Sequence, residues 1–363
     1  MPEYEGLTKP FQPNWEGLVA NIRMEGTPDR VYHFELFHDK EVEDAIIERF
    51  DLEDGLDPND PDYGRRRHLT FLRFIGFDFV RVAMAGQSWP FHNEQTDDTA
   101  ALSRGRRNFR DEHRGPITNW EEFESYPWPD PNDPEATRDL EWWQEHVPDD
   151  MCLCTVGGQF CEYLTWLMGY ETLCFALYDN RELVRAVADR IYDYYETLNR
   201  RYAEFDRVRL FYPSDDMGFK SGTMISPDDI REFVLPGHKM SARIAHEADC
   251  PCVLHSCGNL HEVIDDLIDD CGIDGKHSFE DTIEDVRDLR RNGYGRRIAL
   301  LGGIDVDFVC RADEDAIRRR TRDTLDVCQP GGGYCLGTGN SVANYIPLDH
   351  YLAMVDEGRL YGG

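Results

Sequence analysis

The chain has 363 residues, 40% of them apolar, and carries 71 acidic against 39 basic side chains, a net charge of −32. Such a surface repels phosphate backbones, which argues against nucleic acid as a partner, and no apolar run approaches the roughly 18 residues of a membrane span. The N-terminus, Met1-Pro2-Glu3-Tyr4-Glu5-Gly6, is acidic and lacks an apolar h-region, which points to the cytoplasm. Only five of the basic residues are Lys (Lys9, Lys40, Lys220, Lys239, Lys276). An acid-rich, Lys-poor composition suits solubility at high salt, where screening removes self-repulsion; genome composition bias is the alternative. The eleven cysteines sit largely in apolar strings such as Met151-Cys152-Leu153-Cys154 and read as reduced, buried thiols.

The length fits one barrel of eight β/α units or two ordinary domains. Eight short apolar runs decide between them: 31–37, 77–84, 151–156, 209–212, 251–255, 272–277, 297–301 and 333–337. They are rich in Val, Ile, Leu, Phe and Cys, as parallel strands covered on both faces require. Helical patterns fall between them, at 41–49, 160–176, 181–201, 227–246, 261–270, 283–291, 313–327 and 347–356. The fourth opens on Ser226-Pro227, an N-cap followed by Pro in the first turn. Strand–helix alternation through eight units predicts an α/β fold, a (β/α)8 TIM barrel spanning 1–363 as one domain. The rival open sheet usually carries a Gly-rich G-x-G-x-x-G turn after its first strand, and His38-Asp39-Lys40-Glu41 is not one. Residues 86–150, rich in Trp, Pro, Asp and Asn, read as a long insertion between the second and third units, either a pocket wall or a surface excursion.

Barrel active sites lie at the C-terminal ends of the strands. The polar residues expected there are Glu35, Gln159, Asp215 and Asp216, His255 and Cys257, His277 and Glu280, Asp305, and Asn340. His255-x-Cys257 puts an imidazole and a thiol on the same side of an extended segment, and both are good zinc ligands. A catalytic zinc needs about three protein ligands; Glu280 and Cys335, at neighbouring strands, are candidates to complete the set. The Asp215-Asp216 pair suits acid–base work or a substrate cation, or an Asp that only caps the next turn. Glu35, between Phe34 and Leu36, is costly inside an apolar strand unless it is paired or lines a pocket.

These residues resemble the uroporphyrinogen decarboxylase-like superfamily, which includes the haem-pathway decarboxylase and cobalamin-dependent methyltransferases. The resemblance rests on Gly158-Gln159-Phe160 with Leu167-Met168-Gly169-Tyr170-Glu171, on Asp215-Asp216-Met217-Gly218 with Ile225-Ser226-Pro227, on His255-Ser256-Cys257-Gly258-Asn259, and on Gly337-Thr338-Gly339-Asn340-Ser341 with Ile346-Pro347. True decarboxylases carry an Arg-rich segment after the first strand. Here it is Glu35-Leu36-Phe37-His38-Asp39-Lys40, without Arg and with a Glu that would repel a polycarboxylate. The methyltransferase branch holds zinc with His-x-Cys and a later Cys. His255 and Cys257 match that motif; Cys335 fits the later separation, the register of the tail puts Thr338 there, and Glu280 offers a carboxylate. The resemblance therefore implies a zinc-dependent methyltransferase acting on a small molecule, with a corrinoid carried by a partner protein. Catalytic roles fall to Asp215, Asp216 and Glu35, and substrate contacts to Gln159, His277, Asp305 and Asn340. The alternatives are a metal-free carboxy-lyase using Asp215 or Asp216, or a corrinoid- or small-molecule-binding module. A homodimer is common in the superfamily.

Overall fold

In the computed structural model, which describes residues 4–85 and 89–361, the apolar runs become short, buried parallel strands. Phe79–Val82, Cys152–Thr155 and Val208–Leu210 form one ladder, in chain order. Val253–His255, Gly275–His277, Ala299–Leu301 and Tyr334–Cys335 form a second. Single parallel bridges connect the two, Phe211 to Cys252 and Ser214 to His255, and another ties the first apolar run to the last, His33 to Leu336. The eight segments therefore follow one another in chain order around one apolar core.

The ring of hydrogen bonds is not closed. Among the described residues no ladder or bridge joins the 31–37 segment to Phe79–Val82, so the closed barrel expected from the alternation is one pairing short. Side chains fill much of that seam: the Phe34 ring lies 5.0 Å from Phe79 and 4.8 Å from Tyr212. A cavity of about 310 Å³ occupies the rest.

Most helices form where the pattern places them, with instructive breaks. The 160–176 stretch is two helices, Cys161–Met168 and Tyr170–Asp179, parted by Gly169 at φ 75°. Glu112 and Ile117 use that break: the Ile117 N–H donates to the Leu167 carbonyl, and the Tyr170 N–H to the Glu112 carbonyl. A Cβ on Gly169 would come within 2.6 Å of the His113 carbonyl oxygen. The 227–246 stretch divides at Val234, two residues before Pro236, into Pro227–Phe233 and Leu235–Glu247. Of 261–270 only the part from Ile264 onward is helical.

Between the second and third strands the chain makes a hairpin, Asn93–Asp97 with Arg106–Arg110, and the helices Trp120–Ser125 and Arg138–His146; residues 86–88 lie outside the described residues. The hairpin is tied to the strand-end loops. Arg107 donates to Asp39 and, at 3.0 Å, to Asn344, and Asn344 donates to Asp98 at 2.7 Å. All eleven cysteines are free thiols. Among the described residues no helix is long and apolar enough to cross a membrane.

Candidate active site

The loops after the fourth and fifth strands are stapled together, and this sets the site. The Asp215 N–H donates to the His255 carbonyl at 2.9 Å, the Met217 N–H to the Ser256 hydroxyl at 3.1 Å, and the Asn259 N–H to the Phe219 carbonyl at 2.8 Å. The close approach needs glycine: Gly258 has φ 82°, and a Cβ there would sit 2.1 Å from the Gly218 carbonyl carbon.

The staple turns the two adjacent aspartates in opposite directions. Asp215 is fully buried and accepts from the Cys161 and Glu162 N–H groups, both at 2.9 Å, and from His238 Nε2 at 2.9 Å. It caps the helix Cys161–Met168, whose own N-cap residue makes no side-chain bond. Asp216 turns the other way. It accepts from the Cys257 N–H at 2.9 Å, its Oδ1 lies 3.3 Å from His255 Nε2, and its side chain stays 39% exposed.

Among the described residues, Asp216, His255 and Cys257 are the group of three ligand-type side chains whose donor atoms converge, all within 4.8 Å of one another. His255 Nε2 stands 3.6 Å from Cys257 Sγ. Zn–N near 2.05 Å, Zn–S near 2.3 Å and Zn–O near 2.0 Å in a tetrahedron set edges of about 3.6 Å for N···S and about 3.3 Å for N···O. The two distances seen here match both edges. The donor chemistry fits as well. Burial and then the Asp216 charge push the Cys257 thiol up, against the hydrogen bonds from Ser278 and Asn340. Burial also opposes ionisation of Asp216, but the His255 ring and the Cys257 N–H outweigh it and hold that carboxyl low. A cation between them would reverse the thiol's balance, since a coordinating thiol is deprotonated.

Further contacts fix these groups. His255 Nδ1 and His277 Nδ1 are 2.7 Å apart, so one ring donates to the other. Burial, with the charges of His255, Lys276 and Arg81, pushes His277 well below the usual histidine range, so it is neutral. Asn340 donates to Cys257 Sγ at 3.2 Å. Glu35 is buried and accepts from the Thr338 N–H at 2.9 Å and hydroxyl at 2.6 Å. Burial lifts its carboxyl to about 8, against those two bonds, so Glu35 is protonated at neutral pH. Burial thus weakens, near neutral pH, the repulsion of carboxylates expected of Glu35.

The other expected residues are dispersed. Glu280, Asp305 and Asn340 line an adjoining cleft of about 820 Å³, where Asp305 also caps the helix Val306–Arg311 by accepting from the Phe308 N–H at 2.9 Å. Glu280 is exposed and stands apart from the three-residue group. Cys335 points away from it. Its sulfur takes the Asn21 side chain at 3.5 Å and feels Asp78 and Arg30, at the end where the second strand begins. Thr338 is engaged by Glu35 rather than by the cluster. Gln159 accepts from the Tyr195 hydroxyl.

Two residues at the site were missed. Glu162, in the first turn after Gly157-Gly158-Gln159, lies beside both aspartates; burial and then their charges push its carboxyl well up. Arg81 lies in the second strand and lines the seam cavity with Glu35. A charge inside an apolar strand, the signal that singled out Glu35, would have found it.

Comparison with known proteins bears on the family and the fold. The family described as "Uroporphyrinogen decarboxylase (URO-D)" matches residues 114–361. A curated relative, the methylated-thiol–coenzyme M methyltransferase of Methanosarcina mazei, is 29% identical over 190 residues, which are 52% of this chain and 48% of the relative, so the match spans about half of each. A solved structure, a methyltransferase from Methanosarcina mazei, superposes with a TM-score of 0.68 at 16% identity, covering 97% of this chain and all of that one; it speaks to the fold. With two thirds of its length, including every strand from the third onward, inside the family match, the chain belongs to the uroporphyrinogen decarboxylase family.

Proposed function

We propose that the chain is a (β/α)8 barrel methyltransferase in which Asp216, His255 and Cys257 hold a zinc ion, and that it moves a methyl group between a corrinoid on a partner protein and a small thiol or thioether. The observation that carries this reading is the convergence of the three donors within 4.8 Å of one another, with both distances from His255 Nε2 at zinc-tetrahedron edges. The half-length likeness to a methylated-thiol methyltransferase supports the class of reaction. Three protein ligands leave a fourth position open, as catalytic sites require. Bound zinc supplies Lewis acidity, which favours the thiolate form of a sulfur substrate.

The chain's own residues do the rest. Asn340 and Ser278, which donate to Cys257 Sγ at 3.2 and 3.8 Å, support sulfur as thiolate. The neutral His277 fixes the His255 ring through the 2.7 Å contact, leaving Nε2 free to face Asp216 and Cys257. Second-shell partners of this kind set ligand orientation. Asp216, with its side chain 39% exposed against 4% for His255, is open to a substrate arriving from solvent.

The test is methyl transfer from a methylated corrinoid to a short thiol, followed by the corrinoid's visible spectrum. The reading expects a spectral change with wild type that disappears in Cys257→Ser. Equal rates for wild type and Cys257→Ser would contradict it. One observation favours a second reading: Asp216 stays ionised at a partly open rim, which suits a lyase that stabilises a cation. Binding and turnover of a tetrapyrrole by metal-free protein would support that reading instead.

A further inference from the structure

Four of the five lysines are exposed, whereas Lys276 is fully buried. It is the middle residue of the strand Gly275–His277, so its side chain leaves the face opposite that of His277. The register sets Leu254 and Leu300 beside it on the neighbouring strands, and both are buried. A third apolar residue would complete that layer. Taking an ammonium out of water is costly, and replacing a buried ion pair by apolar residues of similar volume is often neutral or stabilising. Packing alone therefore does not explain the lysine.

Its contacts do. Lys276 Nζ donates to the Ser278 carbonyl at 2.6 Å, reaching forward past His277 to grip the backbone that leaves the strand. Glu284 Oε1 lies 3.4 Å from Nζ and accepts from the Tyr294 hydroxyl at 2.7 Å, and the Phe279 ring centroid lies 4.5 Å from Nζ. The charge is thus compensated by neighbours that themselves make no bond to the His255–Cys257 pair. The gripped backbone does support that pair. His277 Nδ1 meets His255 Nδ1 at 2.7 Å, the Ser256 N–H donates to the His277 carbonyl at 2.7 Å, and the Ser278 hydroxyl donates to Cys257 Sγ at 3.8 Å. The Phe279 N–H donates to the Gly339 carbonyl at 3.1 Å, next to Asn340, the other donor to that sulfur. One ammonium therefore holds the segment on which these supports converge.

We propose that Lys276 is a positioning residue: from behind the strand it fixes residues 277–279, and so keeps the His277 ring on His255 and the Ser278 hydroxyl on Cys257. Partners of this kind orient ligands and tune them. The consequence for zinc rests on the methyl-transfer reading, whereas the placement of the two side chains does not.

Proton NMR of the metal-free full chain, with isotopically labelled histidine, reads the placement directly. The hydrogen shared by His255 and His277 gives a downfield ring N–H resonance, assigned by its loss in His277→Gln. The resonance is expected in wild type and in Tyr294→Phe, which removes a hydrogen bond to Glu284 but keeps the bond from Lys276 to Ser278. It is expected to disappear in Lys276→Met at temperatures where circular dichroism shows a folded chain. A merely structural lysine would lower the melting temperature and leave the resonance in place. Where Lys276→Met does not fold, the double variant Lys276→Met with Glu284→Gln, which strands no charge, takes its place. Zinc affinity, by chelator competition, is expected to fall at least tenfold in the variant lacking Lys276. A resonance that persists without Lys276, a wild type without the resonance, or zinc bound equally well by both proteins overturns the positioning role. A wild type that shows the resonance but binds no zinc, with the resonance lost in the variant, ends the methyl-transfer reading and leaves the positioning role standing.

Discussion

Replacing each of the adjacent aspartates by alanine separates a structural carboxylate from a functional one. Asp215 is fully buried and accepts three hydrogen bonds, from two helix N–H groups and His238. Asp215→Ala strips the cap from Cys161–Met168 and leaves His238 and the Cys161 N–H unpaired inside the protein. Losing a charged hydrogen-bond acceptor and stranding its donors costs about 3–5 kcal/mol. For 363 residues the unfolding entropy is roughly 0.8 kcal/mol per kelvin, so the melting temperature should fall by about 4–6 °C. Asp216 is 39% exposed and its hydrogen-bond partner is a loop N–H. Asp216→Ala should cost about 1 kcal/mol or less, a shift near 1 °C, while abolishing methyl transfer. Differential scanning calorimetry of metal-free protein measures both. A larger loss for Asp216→Ala than for Asp215→Ala would refute the division of roles.

Glu35 gives a pH signature. Its folded carboxyl is raised from 4.5 to about 8, so the stability it contributes is complete below about pH 4.5 and is lost as pH rises toward 8. Glu35→Gln is neutral throughout, so the wild-type stability minus that of the variant should fall between pH 5 and 9 by a few kcal/mol; a flat difference in urea melts counts against a buried, protonated Glu35. Gly258→Ala should weaken zinc retention and lower the melting point, because its Cβ would meet the Gly218 backbone at 2.1 Å in a left-handed conformation. Zinc titration and a thermal melt check it, and unchanged affinity would show that the stapled loops do not fix Cys257. With a net charge of −32, screening of self-repulsion should raise the melting temperature in molar KCl, and a flat or falling curve would remove the high-salt interpretation.

Apolar runs and their spacing made the strand order legible, because buried parallel strands need continuous Val, Ile, Leu and Phe. What stayed hidden depended on contacts distant in sequence. The seam between 31–37 and Phe79–Val82 lacks paired backbone and is filled by Phe34 packed against Phe79 and Tyr212, contacts that no local pattern encodes. Gly169 looked like an ordinary helix residue until the backbone around Glu112 and Ile117 packed into the break. His255 and Cys257 were legible because two residues along an extended segment face alike. The third member of the cluster, Asp216, was not, since Asp215 and Asp216 are indistinguishable until the loop of 214–219 docks on 256–259. Cys335 had the right separation but the wrong facing, turned to Asn21 at the opposite ends of the strands.

Metal content of the purified protein, by inductively coupled plasma mass spectrometry, tests the central claim most directly. The account predicts about one zinc per chain in wild type, loss of zinc in Asp216→Ala, His255→Ala and Cys257→Ser, and full retention in Cys335→Ser and Glu280→Ala. A wild type without zinc, or a protein that keeps it in Asp216→Ala and loses it in Cys335→Ser, would contradict the Asp216–His255–Cys257 centre.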